Sequence, residues 1–383
     1  MSMHVNRRRP VPVPAAPPVE TPPPGPVDWW LLFLFLLLLC VGLLAVLSAS
    51  GPESVKKYHT SYHFFKNQLI FMSLGGIIVT MLCWIPRSFI NRLHYWGIGI
   101  SIFLLAICPV VGKSIKGATR WIDLHFVMLQ PMEFTRIALV LYVAYFLGTK
   151  KDMVKEVMRG LVPPSIVTIA ICFLLLLQPD YGGAAIMCML VFSLFLAGGT
   201  KGLHLWVILL ALLIGGALLI AVEPYRLARF ISFLDPFADR QGGGYQVVQS
   251  LLAMGTGGIF GVGLGGSVQK ISHLPEAHND FIMAVIGEET GFVGIAFVIC
   301  LFVAFFWRCY KVALGQPVLR DKLTAYGLTV AMALSFTMNF AVILSLMPPK
   351  GVAMPFISYG GSSLLSNMIC AGLLLHYSRT ARE

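Results

Sequence analysis

The sequence is poor in charge: Asp, Glu, Lys and Arg together make up only 12% of its 383 residues. A soluble domain carries about 25% charged residues, so this deficit argues against a soluble protein. Hydrophobic residues make up 57% of the chain, and the mean hydropathy is +0.81. The length is sufficient for about ten spans of roughly 20 residues each. The composition therefore predicts an all-α polytopic membrane protein with about ten transmembrane helices.

The sequence also lacks the cysteine spacings of metal and redox sites. Its 8 cysteines all fall within or at the ends of apolar runs, and none forms a CxxC pair or a His/Cys cluster. They are typical of small apolar core residues. Acidic residues are scarce as well, 17 against 28 basic ones, which gives a net charge of +11. In a membrane protein this excess indicates topology and contact with anionic lipid, so we expect no nucleic-acid partner.

The chain divides into a polar tail and an apolar body. Residues 1–27 contain three consecutive arginines and a proline-rich run, which predicts a disordered cytoplasmic tail that acts as a spacer. Residues 28–378 form the predicted ten-helix membrane domain, and 379–383 form a second cytoplasmic tail. The apolar runs that predict the spans lie at 29–47, 67–85, 95–111, 132–148, 162–178, 182–199, 203–222, 280–307, 323–347 and 361–378.

Basic residues indicate the orientation of these spans. An even number of spans places both termini on one side, and most of the basic residues lie in the segments on that side, so we expect it to be cytoplasmic. A large loop at 223–279, between the seventh and eighth spans, then lies outside the membrane. Together with 112–131, 178–183 and 348–361, it forms a set of polar stretches on the outer face, where function is expected.

Several outer cations suit an anionic ligand. Those near Trp121 could bind a pyrophosphate, with the indole at the membrane interface, or could serve as an ordinary interfacial anchor. Their spacing leaves both interpretations open. The full set of candidate cations is Lys113, Lys116, Arg120, Arg226, Arg229 and Lys350.

The acidic residues divide into structural and chemical candidates. Glu133 and Arg136 lie three apart on a predicted helix, which favours a structural ion pair. Asp180 precedes a span and is interpreted as a helix cap rather than a cavity residue. Asp280 opens the eighth span, where a cap and a catalytic carboxylate are both compatible with its position.

The glycine-dense run at 255–266 resembles a phosphate loop only superficially. It has no GK[ST] motif and no preceding strand, so a nucleotide site is disfavoured. Close approach of its backbone to lipid or to another helix is favoured instead. The spacing of His273, His278 and Asp280 is too loose to predict a metal site.

Five motifs in a fixed order carry a family resemblance. They are LDPFAD at 234–239, GYQ at 244–246, LPEAHNDFI at 274–282, GEETG at 287–291 and PFISYGGSS at 355–363. The set resembles the SEDS family (shape, elongation, division and sporulation), the lipid II polymerases of bacterial cell-wall synthesis. The resemblance covers nearly the whole chain from Asp28 on. The PPKG turn that contains Lys350 is more similar to the division branch than to the elongation branch.

The resemblance implies a glycosyltransferase that joins the disaccharide units of lipid II at the outer face of the cytoplasmic membrane, at the division septum. The essential aspartate of the family matches Asp280, its outer-loop tryptophan matches Trp121, and its sensitive basic positions match Arg120 and Lys350. One carboxylate suffices as general base for an inverting transfer, because the lipid pyrophosphate is already a good leaving group. The remaining residues expected to contact substrate are Glu276, His278 and Ser358.

The resemblance also implies partners. We expect lipid II as substrate, a class B penicillin-binding protein as cross-linking partner, and other membrane proteins of the division machinery. The sequence shows no dedicated cofactor site, although a divalent cation such as Mg²⁺ could assist. The alternatives are a lipid II flippase, an elongation polymerase and a non-catalytic scaffold.

The topology is testable with reporter fusions. A reporter joined at Lys155 and one joined at Arg240 should report opposite sides of the membrane, because three predicted spans separate the two positions. Paired enzymatic reporters, one active only inside and one only outside, measure this directly. Agreement between the two fusion sites would overturn the orientation.

Overall fold

The computed structural model describes residues 23–115, 118–124, 127–149, 160–222, 227, 231, 233–238, 242, 244–272, 277–348 and 350–381. Parts of the predicted tails 1–27 and 379–383 and of the predicted loop 223–279 therefore lie outside the described residues. The helices are α1 (Trp29–Tyr58), α2 (His63–Trp84), α3 (Arg87–Val111), α4 (Pro131–Thr149), α5 (Val162–Leu177), α6 (Tyr181–Ala197), α7 (Gly202–Ala221), α8 (Tyr245–Gly257), α9 (Gln269–Ser272), α10 (Ile282–Leu314), α11 (Leu319–Ile343) and α12 (Gly361–Ser378).

The all-α membrane fold is confirmed. Each of the ten predicted apolar runs overlaps one of the described helices. Seven of these are long and apolar enough to cross a membrane, namely α1, α2, α3, α4, α7, α10 and α11, and α5 and α6 are shorter apolar helices. Helices form here because a bilayer offers no partner to backbone N–H and C=O groups, which must be satisfied within the segment.

Helix α12 lies at the centre of the bundle. It packs against α1, α2, α4, α10 and α11, and most of its residues are buried. Its polar side chains, which include Ser366 and Asn367, therefore face protein rather than lipid. A helix surrounded by other helices does not need an apolar surface, which explains why α12 is less hydrophobic than the outer helices.

The two ends of the described chain meet at one face of the bundle. The backbone N–H of Asp28 donates to Ser378 Oγ at 3.1 Å, and its carboxylate pairs with Arg308 Nε at 2.6 Å. The N–H of Gly25 donates to the carbonyl of Arg379 at 2.6 Å. The start of α1 and the end of α12 therefore lie on the same face, as an even number of spans requires.

A small antiparallel sheet was not anticipated. Strands β1 (Lys113–Ile115), β2 (Ala118–Asp123) and β3 (Met128–Leu129) pair in that order within the first of the predicted outer stretches. The side chain of Ser362 fastens the sheet to the start of α12, because its Oγ donates to the carbonyl of Met128 at 2.8 Å and accepts from Gln130 N at 3.0 Å.

Helix α10 is broken at Gly291, where a continuous span was predicted. Gly291 has φ 67° and ψ −163°, which interrupts the helical hydrogen bonds. The glycine-rich loop after α8 supplies the missing partners. The N–H of Phe292 donates to Gly258 O at 2.9 Å, and the N–H of Val293 donates to Ile259 O at 3.1 Å. Irregular backbone is tolerated in a membrane protein where other protein satisfies it.

The two glutamates of the GEETG motif hold the same loop. Glu288 is buried and accepts from Ser267 Oγ at 2.5 Å and from Val268 N at 2.9 Å. Glu289 pairs with Lys270 Nζ at 2.6 Å and accepts from Ser48 Oγ on α1. Both carboxylates are thus bound to structural partners, and the expected close approach of the glycine-rich backbone to another helix is confirmed.

Two glycines of α8 provide a matched test of this contact. A Cβ on Gly257 would lie 2.0 Å from the carbonyl oxygen of Gly287, whereas a Cβ on Gly255 would meet nothing within 4 Å. We expect Gly257→Ala to lower the Tm in detergent, since overpacking against backbone costs about 1–3 kcal/mol. Gly255→Ala should leave the Tm unchanged or slightly raised. Equal melting of both variants with the parent protein would contradict the packing described here.

Candidate active site

The four predicted outer stretches meet through described contacts at the face opposite the chain ends. Arg120 on β2 donates through Nη2 to the carbonyl of Pro179, and its Nη1 lies 3.7 Å from Asp180 Oδ1. The side chain of Lys350 passes over the start of α6, since its Cδ lies 3.5 Å from the position a Cβ on Gly182 would take. Two basic residues from different segments therefore approach the turn that starts α6, and one of them, Arg120, lies beside Asp180.

Asp180 caps the helix that follows it, as predicted. It occupies the N-cap position of α6, and its Oδ1 accepts from the N–H of Gly183 at 3.1 Å. The side chain is nearly buried, with 6% of its surface exposed, whereas Arg120 keeps 23%. Asp180 thus orients Arg120 from behind, and the guanidinium remains accessible from solution.

Asp280 adjoins the Lys350 turn. A Cβ on Gly351 would lie 3.1 Å from Asp280 Oδ2, so the turn after Lys350 passes directly against the carboxylate. Glycine permits this approach because it has no side chain. Asp280 and Lys350 are both only partly buried. The Asp280 carboxylate and the backbone turn after Lys350 therefore adjoin at partly exposed residues.

Asp280 does not occupy the N-cap position that its place in the sequence allowed. Helix α10 begins at Ile282 with Phe281 in the N-cap position, and the Phe281 side chain makes no capping hydrogen bond. Asp280 lies one residue before this cap.

Comparison with known proteins identifies the family. The family model for FtsW, RodA and SpoVE, described as cell cycle protein, matches residues 28–383. The chain belongs to this family. The probable peptidoglycan glycosyltransferase FtsW of Coxiella burnetii is 39% identical over 358 residues, which cover 91% of this chain and 95% of that protein.

Solved structures agree with this assignment. A chain of a peptidoglycan synthase complex that coordinates polymerization and crosslinking has a TM-score of 0.77 at 30% identity, and the match covers 92% of this chain and 98% of that one. The rod shape determining protein RodA of Thermus thermophilus has a TM-score of 0.70 at 28% identity, and the match covers 93% of this chain and 98% of that one. The predicted membership of the SEDS family is confirmed.

Two residues of the family motifs were expected to bind substrate but lie behind the site. His278 is 3% exposed, packs between the rings of Phe64 and Tyr359, and places Nδ1 3.2 Å from Glu53 Oε2 on α1. Ser358 is also 3% exposed. Both side chains are buried in this structure, and their described contacts are with protein groups.

The hydroxyl of Ser358 is used within the protein. It donates to the carbonyl of Asn279 at 2.6 Å and accepts from the N–H of Met354 at 2.9 Å. Next to it, burial raises the pKa of the Tyr359 phenol, while a hydrogen bond with the side chain of Asn67 partly offsets the rise. Tyr359 therefore supports the site as a neutral group.

The buried charges of α4 form an ion pair. Glu133 Oε2 lies 2.8 Å from Arg136 Nη2, and Arg136 is 2% exposed. Its guanidinium also donates to Ser335 at 2.7 Å, and to Ser366 and Asn367 at 2.9 Å each. The pair thus links α4 to α11 and α12 inside the bundle, as expected of a structural rather than a catalytic charge.

The remaining candidates are not brought into this cluster by the described contacts. Lys113 lies on β1 and pairs with the exposed Asp123 at 3.5 Å, which is a surface ion pair of small energetic value. Trp121 lies opposite Lys113 on β2 and is partly exposed. Four predicted site residues lie outside the described residues: Lys116, Arg226, Arg229 and Glu276.

Two supporting residues were missed from the sequence. Glu53 is separated from His278 by most of the chain, and no local pattern connects them. Asn339 is the single Asn in the apolar run 323–347, a signal that could have been noticed, because a buried amide in a membrane helix must find partners. Within the described residues, no group of three His, Cys, Asp or Glu side chains could hold a metal ion.

Proposed function

We propose that this chain is a peptidoglycan glycosyltransferase that polymerises lipid II at the outer face of the cytoplasmic membrane, by an inverting transfer with Asp280 as general base. The supporting observation is the contact between the Asp280 segment and the Lys350 turn, with Arg120 nearby on β2. The names of the relatives and structural neighbours supply the reaction class.

One carboxylate suffices for the chemistry. A hydroxyl of the acceptor sugar attacks the anomeric carbon of the donor, and its proton passes to Asp280. The new carbon–oxygen bond forms as the bond from that carbon to the phosphate oxygen breaks. The electron pair leaves with the lipid pyrophosphate, which therefore needs no second carboxylic acid of the kind glycosidases use.

The departing pyrophosphate needs positive charge. Lys350 and Arg120 are the described cations beside the carboxylates of the site, and both stay partly exposed. Fixed cations stabilise charge that develops on the leaving group in the transition state. A divalent cation such as Mg²⁺ would add to this effect, and chelation by EDTA in a polymerisation assay tests its contribution.

The proposed cellular role is synthesis of the division septum. The supporting observations are the similarity to proteins named FtsW and the Lys350 turn. Depletion in a rod-shaped host should then give long filaments, whereas round, swollen cells would indicate elongation. We further propose a class B penicillin-binding protein as partner, with the termini cytoplasmic and other division membrane proteins nearby, in line with the similarity to a peptidoglycan synthase complex.

The decisive variant is Asp280→Asn. Asn keeps the size and hydrogen-bonding capacity of the side chain but does not accept the acceptor's proton. We expect the variant to fold, yet to lose polymerisation by about 10²-fold or more, the usual scale for a general base. The measurement is glycan chain formation from lipid II by matched, monodisperse preparations of the two proteins.

Asp28→Asn is the matched control. Asp28 is also an aspartate before a helix, it caps α1 through Leu31 N at 3.0 Å, and it lies on the opposite face. This variant should polymerise lipid II nearly as the parent does. An Asp280→Asn variant with parental activity would exclude the catalytic assignment. A parent protein that forms no glycan but moves lipid II across vesicles would instead support the flippase alternative.

A further inference from the structure

The segment that carries Asp280 is held by an unusual set of hydrogen bonds. Three consecutive backbone carbonyls each accept from a donor in a distant part of the chain. The carbonyl of His278 accepts from Tyr359 N at 3.0 Å, and that of Asn279 from Ser358 Oγ at 2.6 Å. The carbonyl of Asp280 accepts from Asn339 Nδ2 on α11 at 2.8 Å. The segment is thereby fixed along its whole length.

Asn339 and Ser358 each bind both sides of the candidate site, but of the three donors only Asn339 does so from a helix. Its Nδ2 also donates to the carbonyl of Val352 at 2.7 Å. A side-chain amide has two N–H bonds, and here one goes to the Asp280 segment and the other to the Lys350 turn. The reverse orientation of the amide would set its oxygen against two carbonyl oxygens, so the chemistry defines which atom is the donor.

The position of Asn339 makes this bridge rigid. The residue lies on helix α11 and is 2% exposed, so water cannot replace it. Its two acceptors belong to segments with no regular secondary structure of their own at these residues. The distance between the carboxylate of Asp280 and the turn at Gly351 therefore depends on a group that belongs to neither segment.

We propose that Asn339 is a positioning residue that sets the separation between the base Asp280 and the cation Lys350. This inference rests on the proposed function, because the separation matters only if both groups act on one substrate. A displacement of about 1 Å between reacting groups can cost about 10²-fold in rate. Asn339 acts through Asp280 and Lys350, and it does not itself touch the substrate.

The test uses Asn339→Leu, which has a similar size but no donor. We expect kcat for lipid II polymerisation to fall by about 10–100-fold while KM changes by less than about twofold, because alignment is needed mainly in the transition state. We also expect faster hydrogen exchange in both 277–284 and 350–354. The matched control is Thr329→Val on the same helix, whose hydroxyl bonds Ala325 O and the thiol of Cys309 on α10 but, in the described structure, neither of the two segments. It should change none of these quantities.

A second variant addresses the possibility of misfolding. Asn339→Gln keeps both donors but moves them by one methylene, so it should fold, retain much of the exchange protection and still lower kcat with KM unchanged. Parental kcat in this variant and in Asn339→Leu would overturn the positioning role. The positioning role would also be overturned if the activity of each variant fell only in proportion to its loss of folded protein, as measured by Tm.

The exchange measurement separates this inference from the proposed function. Unchanged exchange in both segments of Asn339→Leu would exclude the bridge, whatever the activity. A second outcome is faster exchange in both segments of Asn339→Leu together with a parent protein that does not polymerise lipid II. This outcome would establish the bridge but would overturn the proposed reaction. The positioning role of Asn339 would then be overturned as well.

Discussion

A membrane offers no hydrogen-bond partner to a buried polar group, and the structure depends on meeting that constraint from within the protein. The break of α10 at Gly291 is the clearest case. The N–H groups of Phe292 and Val293 are satisfied by the carbonyls of Gly258 and Ile259, which belong to a loop that glycine allows to approach closely. Without this loop the broken helix would leave unpaired backbone inside the bundle.

The need to satisfy buried polar groups from within the protein separates the charged residues into two classes, those buried with protein partners and those that keep accessible surface. Glu133, Glu288 and Glu289 are buried, and each is bound to specific partners within the bundle or loop. Buried carboxylates in a membrane protein suggest function in the first instance, but here their partners assign them to structure. The charges of the candidate site, by contrast, keep accessible surface. Asp280 and Lys350 are partly exposed, and their supporting groups are buried behind them.

This arrangement suits a reaction on a large amphipathic substrate. In the proposed reaction a lipid-linked pyrophosphate approaches from the membrane surface, so the groups that meet it must lie at one end of the helices. The helices supply the rigidity, while turns such as 350–354 carry residues of the candidate site. Hydrogen bonds from Tyr359, Ser358 and Asn339 connect the two, because they bind the backbone of the Asp280 segment to the framework.

Local chemistry was sufficient for much of the prediction. Apolar runs become helices wherever they lie, Asp180 caps the helix that follows it, and Glu133 reaches Arg136 because residues three apart share a helical face. The family motifs supply the hypothesis that Asp280 is catalytic, which stays a prediction. The roles of His278 and Ser358 could not be found in this way, because their partners are remote in sequence. Asn339 joins carbonyls 59 and 13 residues away, and only the packing of α11 against both segments brings them together. Long-range contacts of this kind decide which polar residues keep accessible surface and which are buried against protein, since burial is a property of the assembled bundle.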